Sequence, residues 1–222
     1  YWLSQQPSKL LIGLLADRVL VNNEIEKKQF LKLDQKGFVL VVLGAVNLEH
    51  IQKWIKNNSK YNKKYDAVFQ GRFHPQKGVE ELVKIWKMVV EKKPQAVLVM
   101  IGDGPLMFSV KQLIKKYHLG KNIKLMGYVF DGDEKYKLFS QSKMVLHPAL
   151  YDSGGMASYE AMAFGLPVIG FDLPSYTSYY PKGMIKVPVS HFELYANKIL
   201  ELLTTSLSQK IGAEAKKYVF TQ

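Results

Sequence analysis

Cysteine is absent from the 222-residue sequence, so neither a disulfide framework nor thiol chemistry contributes to its fold or function. No apolar run approaches the roughly 18 residues that a membrane-spanning helix needs, and the apolar stretch 10–15 lacks the basic flank of a signal peptide. Internal repeats and low-complexity tracts are also missing. These absences lead us to expect a globular protein in the cytoplasm.

Acidic residues are few, since 19 Asp and Glu face 31 Lys and Arg and give a formal net charge of +12. Such a balance favours anionic partners, namely nucleic acid, phosphorylated ligands or an acidic membrane surface. The lysines are dispersed, however, and no nucleic-acid-binding motif occurs, so no nucleic-acid partner is predicted. Peripheral contact with an anionic membrane is a hypothesis that sedimentation with acidic liposomes would test.

From residue 65 onward, short apolar runs alternate with segments of helical periodicity. The predicted strands are 67–73, 96–102, 123–129, 143–148, 167–172 and 184–189. The predicted helices are 79–92, 106–117, 133–141, one starting near 155, 191–204 and 208–219. This alternation predicts an α/β fold with a doubly wound, Rossmann-like parallel sheet. Ligands of such sheets bind at the carboxyl ends of the strands.

The first sixty residues contain too few strands for a complete α/β domain. Their pattern predicts a helix, a strand, a second helix and a second strand, at 8–16, 17–22, 24–33 and 37–44. The polar segment 56–64 is typical of a linker. We therefore predict that residues 1–60 are the remnant of a preceding α/β domain with its linker, and that 61–222 form the Rossmann-like domain.

The turn 71–78, GRFHPQKG, places two cations between a strand and a helix. Arg72 and Lys77 supply positive charge, and the adjacent helix N-terminus supplies free N–H groups, as in an anion site. The spacing of a P-loop is missing. A basic loop with solvated side chains is the alternative interpretation.

The turn 101–105, IGDGP, is a second strand-to-helix connection. Gly102 would let the backbone approach a ligand closely, because glycine has no side chain. An ordinary tight turn with Pro105 at the first helical position explains the same residues equally well.

The stretch 151–171, YDSGGMASYEAMAFGLPVIGF, starts a helix beside Gly154 and Gly155. Helical spacing makes Glu160 the only acid on a face shared with Met156, Ala157, Ala163 and Phe164. A buried, unpaired carboxylate costs several kcal/mol, so Glu160 needs a protein cation or ligand hydroxyls. About two turns earlier, Asp152 could face the same cleft. Alternatively, Asp152 caps the helix and Glu160 pairs with a nearby lysine.

Together these motifs resemble the nucleotide-binding half of retaining family-4 (group 1) glycosyltransferases with the GT-B fold. The matching elements occur in the family's order over about residues 65–205: Gly71-Arg72 with Lys77-Gly78, 101–105, 145–148, Asp152, 160–163, Gly165 and Pro167-Val168. Two departures concern the donor sugar. Asp152 stands where the family usually has Glu, and the loop 172–183 lacks the usual glycine-rich, acidic pattern.

The resemblance implies a role for each matching residue. Arg72 and Lys77 would hold the donor diphosphate and stabilise the leaving nucleotide, Asp152 would face the sugar, and Glu160 would accept from ribose hydroxyls. The implied catalytic residues are thus Arg72, Lys77 and Asp152. The implied substrate-binding residues are Gly71, Arg72, Lys77, Gly102, Tyr128, Asp152, Gly154, Gly155, Met156, Ala157 and Glu160. No metal or other cofactor is implied, because basic residues and a helix dipole neutralise the charge, and the nucleotide-sugar is a substrate.

The implied function is transfer of a hexosyl group, with retention, from a UDP- or GDP-sugar to an unknown acceptor. Residues 1–60 are similar to the closing part of the family's first domain, which would hold that acceptor. Most of that domain is missing, so we expect this chain to be an inactive fragment that binds nucleotide weakly. The alternatives are a non-catalytic nucleotide- or phosphate-binding module and a GT-B-like sugar epimerase or phosphorylase.

Overall fold

A computed structural model describes residues 12, 15–22, 24–28, 30, 38–42, 46–58 and 61–221. Its strands are β1 Val19–Val21, β2 Val39–Val41, β3 Ala67–Gln70, β4 Leu98–Ile101, β5 Ile123–Gly127, β6 Val145–His147, β7 Val168–Phe171 and β8 Met184–Val187. Its helices are α1 Glu24–Lys28, α2 Leu48–Asn57, α3 Val79–Lys92, α4 Met107–Lys116, α5 Asp133–Ser140, α6 Met156–Ala163, α7 Tyr176–Tyr179, α8 Phe192–Thr204 and α9 Leu207–Phe220. Most of the predicted helix 8–16 lies outside the described residues.

The larger sheet has six parallel strands in the order β5-β4-β3-β6-β7-β8. Strands β4 and β5 are therefore added on one side of β3, and strands β7 and β8 are added on the other side, next to β6. Val68 and Val145 are the paired residues where these two strands meet. This arrangement confirms the predicted doubly wound, Rossmann-like fold, and its topological switch point lies between β3 and β6.

Helices cover both faces of the larger sheet, which explains why an inner strand such as β4 is a continuous apolar run. In β4, Leu98 and Met100 pack into a core under α3, α4 and α8. The alternate residues, Val99 and Ile101, pack into a second core under α2, α5, α6, α7 and α9. Successive side chains of a strand point to opposite faces, so one four-residue strand contributes to both cores.

Helix α2 was not predicted, and it packs on the second core of the larger sheet. Ile51 and Trp54 are buried there, the Trp54 Nε1–H donates to Asp133 Oδ1 over 2.8 Å, and the Trp54 ring stacks on Tyr61. The polar character of 56–64 had indicated a linker instead. The domain boundary at residue 60 stays a prediction, although α2 contacts the domain that follows it.

The smaller sheet consists of β1 and β2 in parallel, within the strands predicted at 17–22 and 37–44. Val19, Val21 and Val39 form its buried cluster. Among the residues that the structure describes, no helix is both long enough and apolar enough to cross a bilayer.

Candidate functional site

Two turns lie side by side at the carboxyl ends of β3 and β6. The first follows β3 and contains the 3₁₀ helix Pro75–Lys77 before α3 begins. The second runs from the end of β6 to α6. The carbonyl of Gln76 accepts the N–H groups of Leu150 (2.8 Å) and Tyr151 (3.2 Å), so backbone hydrogen bonds join the two turns. The turns that carry Lys77 and Asp152, two of the predicted site residues, therefore meet at the switch point of the sheet.

Asp152 is the centre of the polar contacts in this site. Lys77 Nζ lies 2.7 Å from Asp152 Oδ2, and His147 Nε2 lies 2.8 Å from the same oxygen. The other oxygen, Oδ1, accepts the N–H groups of Gly154 (3.2 Å) and Gly155 (3.0 Å). Each carboxylate oxygen thus has two partners, and a single side chain fixes a lysine, a histidine and the turn before α6.

The surroundings of Asp152 keep it ionised. Burial opposes the charged form, but the hydrogen bond and charge of His147, together with the charge and hydrogen bond of Lys77, outweigh it. As a result the pKa of Asp152 lies well below its ordinary range. Lys77 is consequently held in place by a permanent negative charge, and its side chain is still 27% exposed.

Arg72 lies in the turn immediately after β3, and its side chain is exposed. The guanidinium makes no ion pair or hydrogen bond with any residue in the described part of the chain. Arg72 lines a cavity of about 310 Å³ whose other lining residues are Gln70, Gly71, Ile101, Gly102, Asp103, Tyr128 and Val129. The cavity therefore brings together four predicted site residues, whereas Lys77, Asp152 and Glu160 do not line it.

Gly102 has a structural role at this cavity. Its φ is +135°, and a Cβ built there would lie 1.9 Å from the carbonyl oxygen of Gly71. The missing side chain therefore lets the turns after β3 and β4 touch each other. The predicted approach of a ligand to Gly102 stays a prediction, and the group that lies against Gly102 in the structure is protein backbone.

Glu160 is buried on α6, as its helical spacing predicted. The Nζ atom of Lys135 lies 2.6 Å from Glu160 Oε1 and 2.5 Å from Asp131 Oδ1. Burial raises the pKa of Glu160, and the ion pair with Lys135 offsets part of that rise. The contacts of the alternative interpretation are thus present, because Glu160 pairs with a lysine and Asp152 accepts from N–H groups at the start of α6.

The glycine pair before α6 fits against aromatic and histidine side chains. Gly155 has a φ of +60°, and a Cβ there would lie 3.3 Å from both His147 Nε2 and the Tyr176 ring. A Cβ on Gly154 would lie 2.8 Å from the Tyr179 ring. The space beside each of the two glycines is therefore bounded by protein side chains. Met156 and Ala157 follow as the first helical residues, whose N–H groups have no partner within the helix.

Replacing Gly155 by alanine is expected to lower the free energy of unfolding by about 1–2 kcal/mol, because residues with a Cβ are strained at left-handed φ. Thermal unfolding of the variant measures the loss. Gly120→Ala is the matched control, since a Cβ at Gly120 meets nothing within 4 Å. Equal melting temperatures for the two variants would contradict the strain assigned to Gly155.

Sequence reasoning missed two buried residues of the site, His147 and Lys135. His147 follows the apolar residues of β6, and a histidine in such a run was a usable signal. Its Nδ1 is buried and has no hydrogen-bond partner among the described residues. Lys135 follows Asp131 by four residues, a spacing typical of an exposed helix pair. Only the packing of α5 shows that this lysine is buried.

Two further acids near the site, Asp131 and Asp133, both have protein partners. Asp131 pairs with Lys135, and Asp133 accepts from Trp54. Among the described residues, no three His, Asp or Glu side chains are grouped as metal ligands would be. The expectation that no metal or cofactor is needed stays a prediction.

A larger cleft, of about 700 Å³, lies beside α9 and contains no predicted site residue. Its lining includes Lys182, Lys210 and Lys217, and also Glu214. The cleft is basic, but Lys210 and Lys217 lie outside every motif described above. An anionic ligand could bind in this cleft instead of at the turn 71–78.

Comparison with known proteins gives a match to a family model. The family described as "Glycosyl transferases group 1" matches residues 50–218. An uncharacterized glycosyltransferase of Methanocaldococcus jannaschii is 28% identical, covering 71% of this chain and 40% of the relative. The amylovoran biosynthesis glycosyltransferase AmsD of Erwinia amylovora is 27% identical, covering 94% of this chain and 56% of the relative. The chain thus spans about half the length of these relatives.

Solved structures show the same fold at low sequence identity. TarM of S. aureus, solved in a complex that includes UDP, superposes with a TM-score of 0.79 and 20% identity, covering 95% of this chain and 42% of TarM. HepE of Anabaena, solved with UDP and glucose, gives a TM-score of 0.80 and 16% identity, covering 99% of this chain and 62% of HepE. At these identities the likeness establishes the fold.

Proposed function

The chain belongs to the group 1 glycosyl transferase family, and on this premise we propose that it is the donor-binding half of a retaining glycosyltransferase. It would bind a nucleotide-sugar whose hexosyl group is moved to an acceptor. The observation that carries this proposal is an exposed Arg72, without an ion pair to any described residue, that lines a cavity and lies on the same turn as an anchored Lys77. Both cations lie at the switch point, where α/β sheets bind their ligands.

The two cations differ in how they are prepared for a diphosphate. Lys77 is already held by Asp152, so little conformational freedom is lost when it meets a phosphate oxygen. Arg72 makes no ion pair within the described residues, so its guanidinium is free to form a bidentate contact with an anion. Asp152 joins Lys77 to the turn at the start of α6, where the positive end of the helix dipole lies. We propose that these groups stabilise the charge that develops on the leaving nucleoside diphosphate.

Asp152 would act by holding Lys77 and the turn at Gly154 and Gly155 in place. The four carboxylate contacts described above are to protein groups. The predicted direct contact between Asp152 and the donor sugar stays a prediction, because a sugar hydroxyl would have to share or replace one of these partners. Glu160 would accept from the ribose hydroxyls, through the oxygen that Lys135 does not hold.

UDP is the first nucleotide to test, since UDP complexes are known for two proteins of the same fold. GDP is the second. The base would lie in the cavity that Gly102 and Tyr128 line. The acceptor would be held by a further domain, because the family relatives are about twice as long as this chain.

Calorimetric titration of the chain with UDP, GDP, ADP and a DNA duplex tests this function. We expect saturable heat with at least one nucleoside diphosphate and weaker binding of the duplex, because the lysines are dispersed over the surface. Tight duplex binding with no heat from any of the three nucleotides would contradict the proposal and favour a nucleic-acid-binding protein.

A further inference from the structure

Lys135 is a lysine buried within the domain, with only 1% of its surface exposed. An isolated ammonium group at such a site is strongly disfavoured by desolvation. Two carboxylates compensate for it, Glu160 Oε1 at 2.6 Å and Asp131 Oδ1 at 2.5 Å. Burial favours the neutral amine, but hydrogen bonds and charge from Asp131 and Glu160 outweigh it and raise the pKa of Lys135. The lysine is therefore a cation held between two acids.

The three charged residues come from three different segments. Asp131 belongs to the loop after β5, Lys135 to α5 and Glu160 to α6. Tyr128 and Val129, in the same loop as Asp131, line the cavity at the ends of the strands. Lys135 therefore joins the loop beside the cavity to the helix that carries Glu160.

The contact with Lys135 leaves Glu160 suited to bind a hydroxyl. The ion pair with Lys135 uses the Oε1 atom of Glu160. The other oxygen, Oε2, makes no hydrogen bond to any residue in the described segments. Without Lys135, burial would act on Glu160 alone and favour its protonated form. An ionised carboxylate accepts hydrogen bonds about twice as strongly as a neutral group.

We propose that Lys135 is a positioning residue for ribose recognition, which keeps Glu160 ionised and oriented without touching the nucleotide itself. This inference rests on the proposed function, in which Glu160 accepts from the ribose hydroxyls. It adds a residue of α5 and the ion cluster Asp131–Lys135–Glu160 to the site. If Lys135 acts in this way, its loss should weaken binding only of ligands that carry ribose hydroxyls. A residue that merely stabilised the fold would affect all ligands equally.

The test compares Lys135→Met with the wild-type chain. The ligands are whichever of UDP, GDP and ADP binds most tightly and the 2′,3′-dideoxy analogue of that nucleotide, measured by calorimetry. We expect Lys135→Met to weaken binding of the ribonucleotide by about tenfold. This is about the difference in hydrogen-bond strength between an ionised and a neutral Glu160 as acceptor. Binding of the dideoxy analogue should change by less than about twofold. Should Lys135→Met not fold, Lys135→Gln is measured by the same criteria.

Lys143→Met is the matched control, since Lys143 also pairs with a buried acid, Asp66, at 2.8 Å. Asp66 precedes β3, at the opposite end of that strand from the site, and we expect this variant to bind both ligands as the wild type does. Equal losses for both ligands in Lys135→Met, or no loss for either, would overturn the inference while leaving the proposed function intact. A wild-type chain that binds none of the three nucleotides would overturn both.

Discussion

Replacing Arg72 by alanine is expected to weaken binding of a nucleoside diphosphate by about 10- to 100-fold. A hydrogen bond to a charged group contributes about 1.5–3 kcal/mol, and Arg72 is the exposed cation that lines the cavity. Binding of the corresponding nucleoside should change by less than about twofold, because it has no phosphate. Calorimetry with UDP and uridine, or with the matching pair for another base, measures both changes.

Lys111→Ala is the control for the loss of one positive charge. Lys111 lies on α4, and it is exposed. A general electrostatic attraction would make the two variants equivalent, whereas a phosphate contact affects Arg72→Ala alone. Equal losses of nucleoside and nucleoside diphosphate in Arg72→Ala would contradict the phosphate role.

Replacing Asp152 by asparagine is expected to lower the free energy of unfolding by about 2–3 kcal/mol. Removing one partner of a buried ion pair is strongly destabilising, and the partial exposure of Lys77 moderates the loss. For a chain of this length the melting temperature should fall by about 5–10 °C. Asparagine has the shape of aspartate but no negative charge, so it attracts Lys77 and the N–H groups of the turn less strongly. Nucleotide binding should therefore weaken as well.

The pH dependence of this loss follows from the lowered pKa of Asp152. A carboxyl group whose pKa is lower in the folded chain contributes stability that is fully present above its unfolded value, 3.8, and is lost as the pH falls toward the folded value. The difference in melting temperature between wild type and Asp152→Asn should therefore be large at about pH 7 and shrink below about pH 4. Asp172→Asn, which changes an exposed acid, should show neither effect. A difference that grows on acidification would contradict the ionised state of Asp152.

The six-stranded sheet could be predicted because its strands are short apolar runs separated by helical periodicity. Residues 98–101 form one such run, and burial on both faces explains why it contains no polar residue. Helix α2 was missed because it lies next to the polar segment 56–64, and its burial depends on contacts with α5 and α6, which are distant in sequence.

The candidate site was predictable where its residues belong to local motifs. Arg72 and Lys77 lie on one turn, Asp152 lies in the loop just before α6, and the periodicity of α6 places Glu160 on its apolar face. The partners of the two acids could not be predicted, because Lys135 precedes Glu160 by 25 residues and Lys77 precedes Asp152 by 75. Such pairs depend on how α5 and α6 pack and on the adjacency of β3 and β6, which a local pattern does not encode.

A crystal structure of this chain with bound UDP, or with GDP or ADP if one of those binds more tightly, tests the central claim most directly. The account predicts that diphosphate oxygens lie within hydrogen-bond distance of the Arg72 guanidinium and of Lys77 Nζ, with the base in the cavity beside Gly102 and Tyr128 and the ribose at Glu160. A nucleotide bound in the cleft of Lys182, Lys210 and Lys217, with no ligand at the turn 71–78, would contradict it.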